Sequence, residues 1–170
     1  MRKMPGQRII ELSVTPIPVH HIKELGKVAF GDNIGNQSIE WLVRARTDGG
    51  LEGVTIANRF MQQFVGFDSS IGTIRGLVPL IHEVFLGRRV DEFLEVSDGR
   101  VVGVRDAFKQ AFWSHGWMSI LAFDLLGQEM GVSCIELLGG RVRDSVRAYD
   151  TTFFYQDMLN PAKAAGQVAS

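Results

Sequence analysis

Apolar and polar positions alternate with a period of two over residues 7–14, with Ile10, Leu12 and Val14 on one face and Ile9, Glu11 and Ser13 on the other. That period predicts a strand. Thr15-Pro16-Ile17-Pro18 is expected to end it, because proline has no N–H to give to a ladder. Residues 38–47 carry the clearest alternation, with Ile39, Trp41, Val43 and Ala45 opposed to Glu40, Arg44 and Arg46. Asp48-Gly49-Gly50 then supplies the positive φ angles of a tight hairpin, and residues 51–57 return as the partner strand. Two long polar connections interrupt this front half: residues 19–37, with Gly26, Gly31 and Gly35, and residues 58–67. Connections of that length inside a compact domain are usually functional or disordered.

The period then changes. Ile71, Ile74, Leu77, Val78, Ile81, Val84 and Phe85 recur at helical spacing, with Asp68 or Ser69 as a cap and Gly87 as a stop. Pro79 lies inside the pattern and predicts a kink or a break. Residues 90–94 read as one short helical turn, and residues 97–104 fit neither period. A single long helix is expected from about Arg105 to Met130. Its apolar residues, Phe112, Trp113, Trp117, Ile120, Leu121, Phe123, Leu125 and Leu126, surround most of the circumference, so it is expected to be buried on more than one face. Gly116 and Gly127 inside it mean either local weakness or the close approach of another backbone, the second being favoured at Gly127. Asp124 falls among apolar neighbours, where an unpaired carboxylate is expensive; an arginine or a backbone amide is the expected partner, in a structural role.

Residues 112–140 thus read as a long helix, a glycine stop and a short helix closed by Gly139-Gly140, and the rest of the chain is organised around them. Beyond that corner, residues 145–154 form a new strand, and Asn160-Pro161 opens a helix with asparagine as cap and proline in the first turn. A strand followed by a helix start is the opening of a parallel βα unit. One such unit cannot bury its own strand edges. The fold class expected is α+β: a three-stranded antiparallel meander followed by a helical bundle.

Composition narrows the function without choosing one. The 170 residues are 45% hydrophobic and 22% charged, with 18 basic against 19 acidic side chains and a net charge of -1. There is no basic stripe with interleaved aromatics, so nucleic acid is not an expected partner. No apolar run reaches the roughly 20 residues a membrane helix needs. The first residues lack the apolar run of a signal peptide. Cys134 is the single cysteine, so no internal disulfide forms, and cytoplasm is the expected compartment.

The familiar signatures are missing: no phosphate loop, no GxGxxG, no HExxH, no GxSxG and no CxxC. His20 and His21 sit together in a loop, either solvated or within reach of a ligand; His82 reads as a boundary residue and His115 as structural. Cys134 reads as a small core residue. Asp91, Glu92 and Glu95 read as a solvated acidic face rather than a metal site. No acid–base pair, nucleophile or metal constellation can be assembled from these residues, so no catalytic residue and no metal ligand is assigned.

One run is more specific. Ala122-Phe-Asp124-Leu-Leu-Gly127, Gly131, and Glu136-Leu-Leu-Gly-Gly140-Arg-Val-Arg143-Asp144 resemble the enolase superfamily, in particular its mandelate racemase/muconate lactonizing enzyme group. Gln128 stands where a lysine is common in that pattern and Ser133 where a proline is common. The resemblance implies an N-terminal capping domain over residues 1–140 and, over residues 141–170, the start of a (β/α) barrel: the first βα unit of a truncated TIM barrel. It implies Mg²⁺-assisted proton abstraction next to a substrate carboxylate in the complete enzyme, with metal carboxylates and acid–base residues on later barrel strands, beyond Ser170. No cofactor is therefore expected on this chain itself. The implied substrate is a small carboxylate such as an acid sugar, and the complete enzyme is expected to be a homo-oligomer.

In that family two capping-domain loops close over the barrel mouth, and by position residues 19–37 and 58–67 match them. His20, His21, Asn58 and Arg59 are then the expected substrate contacts. Asp150, near the end of the first barrel-like strand, is a further one, with Tyr149 as its alternative on the opposite face. Two functional readings follow. One is the substrate-capping portion of an acid-sugar dehydratase, racemase or cycloisomerase, inactive alone. The other is a non-catalytic interaction module that keeps the capping fold and docks on another chain.

Overall fold

A computed structural model describes residues 6–20, 36–57 and 74–147. The chain divides into two compact units, one of Met1–Val19 and Ile39–Arg141, the other of His20–Ser38 and Val142–Ser170. In the second unit the described residues are the end of one strand, the start of the next, and an exposed irregular segment over residues 142–147. The account below concerns the first unit.

Strands β1 (Ile9–His20), β2 (Gln37–Thr47) and β3 (Glu52–Ala57) form an antiparallel sheet in that order. β2 and β3 pair with Trp41 opposite Ala57, Ala45 opposite Gly53 and Arg46 opposite Glu52. One face buries Val43, Ala45, Thr55 and Ala57; the other carries Arg44, Arg46, Val54 and Ile56 in solvent. The expected alternation of β2 is therefore the observed one.

Two details of the sheet differ from expectation. β1 does not end at its prolines but runs through Pro16 and Pro18. β1 is an edge strand, and prolines two residues apart remove N–H groups on one side only, the side an edge leaves open. Its burial also changes parity: Ile9 is buried and Ile10 is 49% exposed, yet Leu12 and Val14 pack on the core. Ile9 is held outside the sheet ladder, donating to the Arg88 carbonyl and accepting from Gly87, each at 2.8 Å. In the hairpin, Gly50 is the one residue of Asp48-Gly49-Gly50 with positive φ. Thr47 closes that loop: its Oγ1 accepts from the Leu51 amide at 2.9 Å.

Helix α1 (Ile74–Phe85) buries Leu77, Ile81, Val84 and Phe85 and stops at Gly87, φ 76°. It is continuous through Pro79, so the expected break does not occur. Pro79 is exposed, and the carbonyl one turn back that loses its donor can be hydrated there. A 3-10 turn over Val90–Glu92 matches the expected short turn. The ambiguous stretch is a second hairpin, β4 (Leu94–Ser97) and β5 (Arg100–Val104), turning on Asp98 and Gly99, φ 51° and 77°. Asp-Gly is the sequence such a two-residue turn favours.

The expected single long helix is two: α2 (Asp106–Ser114) and α3 (Gly116–Met130), separated by His115 at φ -134° and ψ 72°. α2 contributes Phe108 and Phe112 to an aromatic cluster in which Phe93 lies 4.8 Å from both Phe85 and Phe108, ring centre to ring centre. The break turns the chain from that cluster onto the sheet. α3 buries Trp117, Met118, Leu121, Ala122, Leu125 and Leu126, which lie on one broad stripe; Ile120 is 58% exposed and Trp113, at the end of α2, 80%, so the burial does not reach around the helix as expected. It ends at Gly131 in the left-handed region, φ 68°. The short helix α4 (Cys134–Leu137) follows, and Gly139 and Gly140, φ 107° and 92°, close the corner.

Candidate functional site

Antiparallel order sends the β1–β2 connection and the chain leaving β3 to the same end of the sheet, because Ala57 lies opposite Trp41 near the start of β2. This is the end where sequence reasoning places substrate contacts. His20 is the last residue of β1 and is exposed, so the pair His20-His21 begins at a strand end rather than wholly within a loop. His21, Asn58, Arg59 and Asp150 lie outside the described residues.

Toward the opposite, hairpin end of β3, α3 is locked to the strand. Gly53 faces the helix: a Cβ there would lie 2.6 Å from Leu125 Cγ and 3.1 Å from Leu121 Cδ1, so only glycine lets the helix approach this far. β3 is the other edge of the sheet, and its outward groups need partners. Asp124 accepts the Val54 amide at 2.8 Å, and Gln128, one turn on, donates to the Glu52 carbonyl at 2.8 Å and to Asp124 at 3.1 Å. Asp124 is therefore paired with a backbone amide, as anticipated, and seals a strand edge. Thr55 Oγ1 adds a bond to the Trp117 carbonyl at 3.2 Å. Glu129 accepts the Gln7 amide at 2.5 Å, tying the far end of α3 to the segment before β1.

At the corner, Gly127 is required by a backbone, as expected: its Cβ would meet the Val132 carbonyl oxygen at 2.9 Å. The approaching backbone is that of the segment folding back past Gly131. Gly116, by contrast, has open space around it and starts α3. Ser133 and Glu136 form a capping box: the Ser133 amide donates to Glu136 Oε2 at 2.7 Å, and Ser133 Oγ accepts from the Glu136 amide at 3.3 Å. The Ser133 amide, together with the Ser133 hydroxyl that donates to Glu136 Oε2 at 2.8 Å, holds the Glu136 carboxyl below its ordinary pKa. The S-x-x-E spacing is a helix-start signal legible in the chain.

Several residues have settled places. His115 is buried at the α2–α3 junction with its ring edge toward Trp117, 6.2 Å between centres, consistent with a structural role. Burial lowers its pKa, favouring neutral imidazole. His82 is exposed rather than at the boundary. Cys134 is exposed, not a core residue: in a helix of four residues only Leu137 faces inward. Asp91 pairs with Arg89 at 2.8 Å, so the acidic run 91–95 does not act as one cluster. Among the described residues no three of His, Cys, Asp and Glu come together to hold a metal ion. No helix among the described residues is long and apolar enough to cross a membrane.

On the side of the unit formed by α4 and β5, which pack together, large apolar side chains stand in solvent. Val102 is 65% exposed, Ile135 57% and Leu138 70%. Arg100 Cδ lies 3.9 Å from the position of a Gly139 Cβ.

No family model matches the chain, and no curated protein matches it. Among solved structures, it is similar to a dipeptide epimerase from Methylococcus capsulatus complexed with Mg and the dipeptide L-Arg-D-Lys, with 17% identity and a TM-score of 0.61. The match covers 95% of this chain and 43% of the epimerase, so the chain spans less than half the length of that enzyme. An enolase from Pseudomonas fluorescens with bound magnesium, potassium and tartrate is also matched, with 20% identity and a TM-score of 0.46, over 84% of this chain and 34% of that one. The first of these likenesses is one of fold: a three-stranded antiparallel sheet with helices packed on it, the α+β architecture expected of an enolase-type capping domain.

Proposed function

We propose that this chain is the N-terminal substrate-capping portion of a Mg²⁺-dependent enolase-superfamily enzyme, with residues 1–140 as the capping domain and residues 141–170 as the start of its barrel. The observation that carries the proposal is the match of fold over 95% of this chain and 43% of the dipeptide epimerase. The Ala122 to Asp144 pattern supports it independently, since helix, glycine stop, short capped helix and Gly-Gly corner occur in that order. The exposed ridge of Val102, Ile135 and Leu138 fits a unit with a further apolar partner to meet.

In this reading the role of the chain is to close a site and choose a substrate. The seam between α3 and β3 anchors the strand from whose far end the second long connection leaves, and a firm scaffold is what a loop that selects a ligand requires. His20, His21, Asn58, Arg59 and Asp150 are the proposed contacts to a small carboxylate substrate such as an acid sugar. The reaction class is dehydration, racemisation or cycloisomerisation. Mg²⁺, when bound by the complete enzyme, would stabilise an enolate formed by removing the proton next to the carboxylate. The complete enzyme is proposed to be a cytoplasmic homo-oligomer, and the 170 residues alone to be inactive.

The test has two arms. In calorimetry, Mg²⁺ titrated into the 170-residue chain should give no saturable heat, and its α-hydroxy-acid and dipeptide mixtures in D₂O should show no α-proton exchange by NMR. Saturable binding or exchange would overturn the assignment of the chemistry to a barrel. The genomic reading frame downstream of codon 170 is the second arm. Further βα units with carboxylates at successive strand ends are expected there; a frame without them removes the enzyme reading and leaves a docking module.

A further inference from the structure

We draw no further inference here: the strongest candidate, the solvent-facing side of the sheet where Leu42, Val54 and Ile56 form a half-exposed apolar surface beside Arg44 and Glu52, is unpartnered and nothing in the structure shows what covers it.

Discussion

The two sides of the segment from Phe112 to Gly140 are finished to different degrees. Toward β3, every device that makes an interface close and specific is present: a glycine where the helix presses, two buried leucines, and an Asp–Gln pair one turn apart that occupies the free edge of the strand. Toward β5, the short helix α4 buries Leu137 alone and leaves Ile135 and Leu138 in solvent beside Val102. Both sides are built from the same kinds of residue, so composition does not distinguish them. The difference is whether a partner surface exists within the unit. A seam with polar groups satisfied at its edge is closed within the unit; the exposed apolar side chains of α4 and β5 meet no such partner among the described residues.

The sharpest way to break the seam is Leu125→Ala. Leu125 is fully buried against Gly53, and the truncation should cost about 2–5 kcal/mol in a urea titration. A loss below about 1 kcal/mol would mean that the helix is not seated on β3. Approaching from the other side, Gly53→Val forces new atoms into the Leu125 contact and should cost about 1–3 kcal/mol. Pairing it with Leu125→Ala should return part of that loss, because the smaller side chain makes room; strict additivity would show that the two positions do not meet.

Asp124→Ala removes the acceptor that seals β3 and should cost about 1.5 kcal/mol. Its local signature is faster hydrogen exchange at the Val54 amide, whereas unchanged exchange there would dismiss the edge seal. Ser133→Ala removes the cap of α4, at about 1 kcal/mol. The Glu136 half of the same cap should depend on pH. Its folded pKa is lowered, so its contribution is complete above the unfolded carboxyl pKa and disappears as pH falls through the folded value. A Glu136→Gln variant should accordingly approach the parent's stability in acid.

The exposed side should respond least. Leu138→Lys is expected to change stability by no more than about 0.5 kcal/mol. It should nevertheless reduce binding of an apolar dye. A large loss of stability would mean that the ridge is part of the core after all.

Much of the architecture could be read from local pattern. The alternation of Val43 and Ala45 with Arg44 and Arg46 set which face of β2 is buried, since a strand offers only two faces. The helical spacing of Leu77, Ile81, Val84 and Phe85 did the same for α1. The Asp98-Gly99 hairpin and the Ser133–Glu136 box carry weaker signals: the hairpin is flanked by strands too short to show a period, and the cap serves a helix of four residues. The candidate site was less legible. His20 reads as a loop residue in the sequence and only the structure shows it as the last residue of β1; His21, Asn58 and Arg59 belong to the two long polar connections, which have no regular period to read. The acidic run at 91–95 also illustrates the limit, because Asp91 is taken up by Arg89.

What the chain determined by itself is part of the inventory: β1 to β3 and α1 in order, the glycine corner at 139–140, and an Asp124 that had to find a hydrogen-bond donor. Each follows from the chemistry of a residue and its near neighbours. The tertiary structure alone decided that His115 splits the expected helix, that β1 continues through its prolines as an edge, that Gly53 is the point of closest approach, and that the donor for Asp124 is the Val54 amide. These depend on partners distant in sequence. Gly53 and Leu125 are 72 positions apart, and Asp124 and Val54 are 70 apart. No local periodicity records which distant backbone a side chain will meet; that information exists only once the helix lies against the strand.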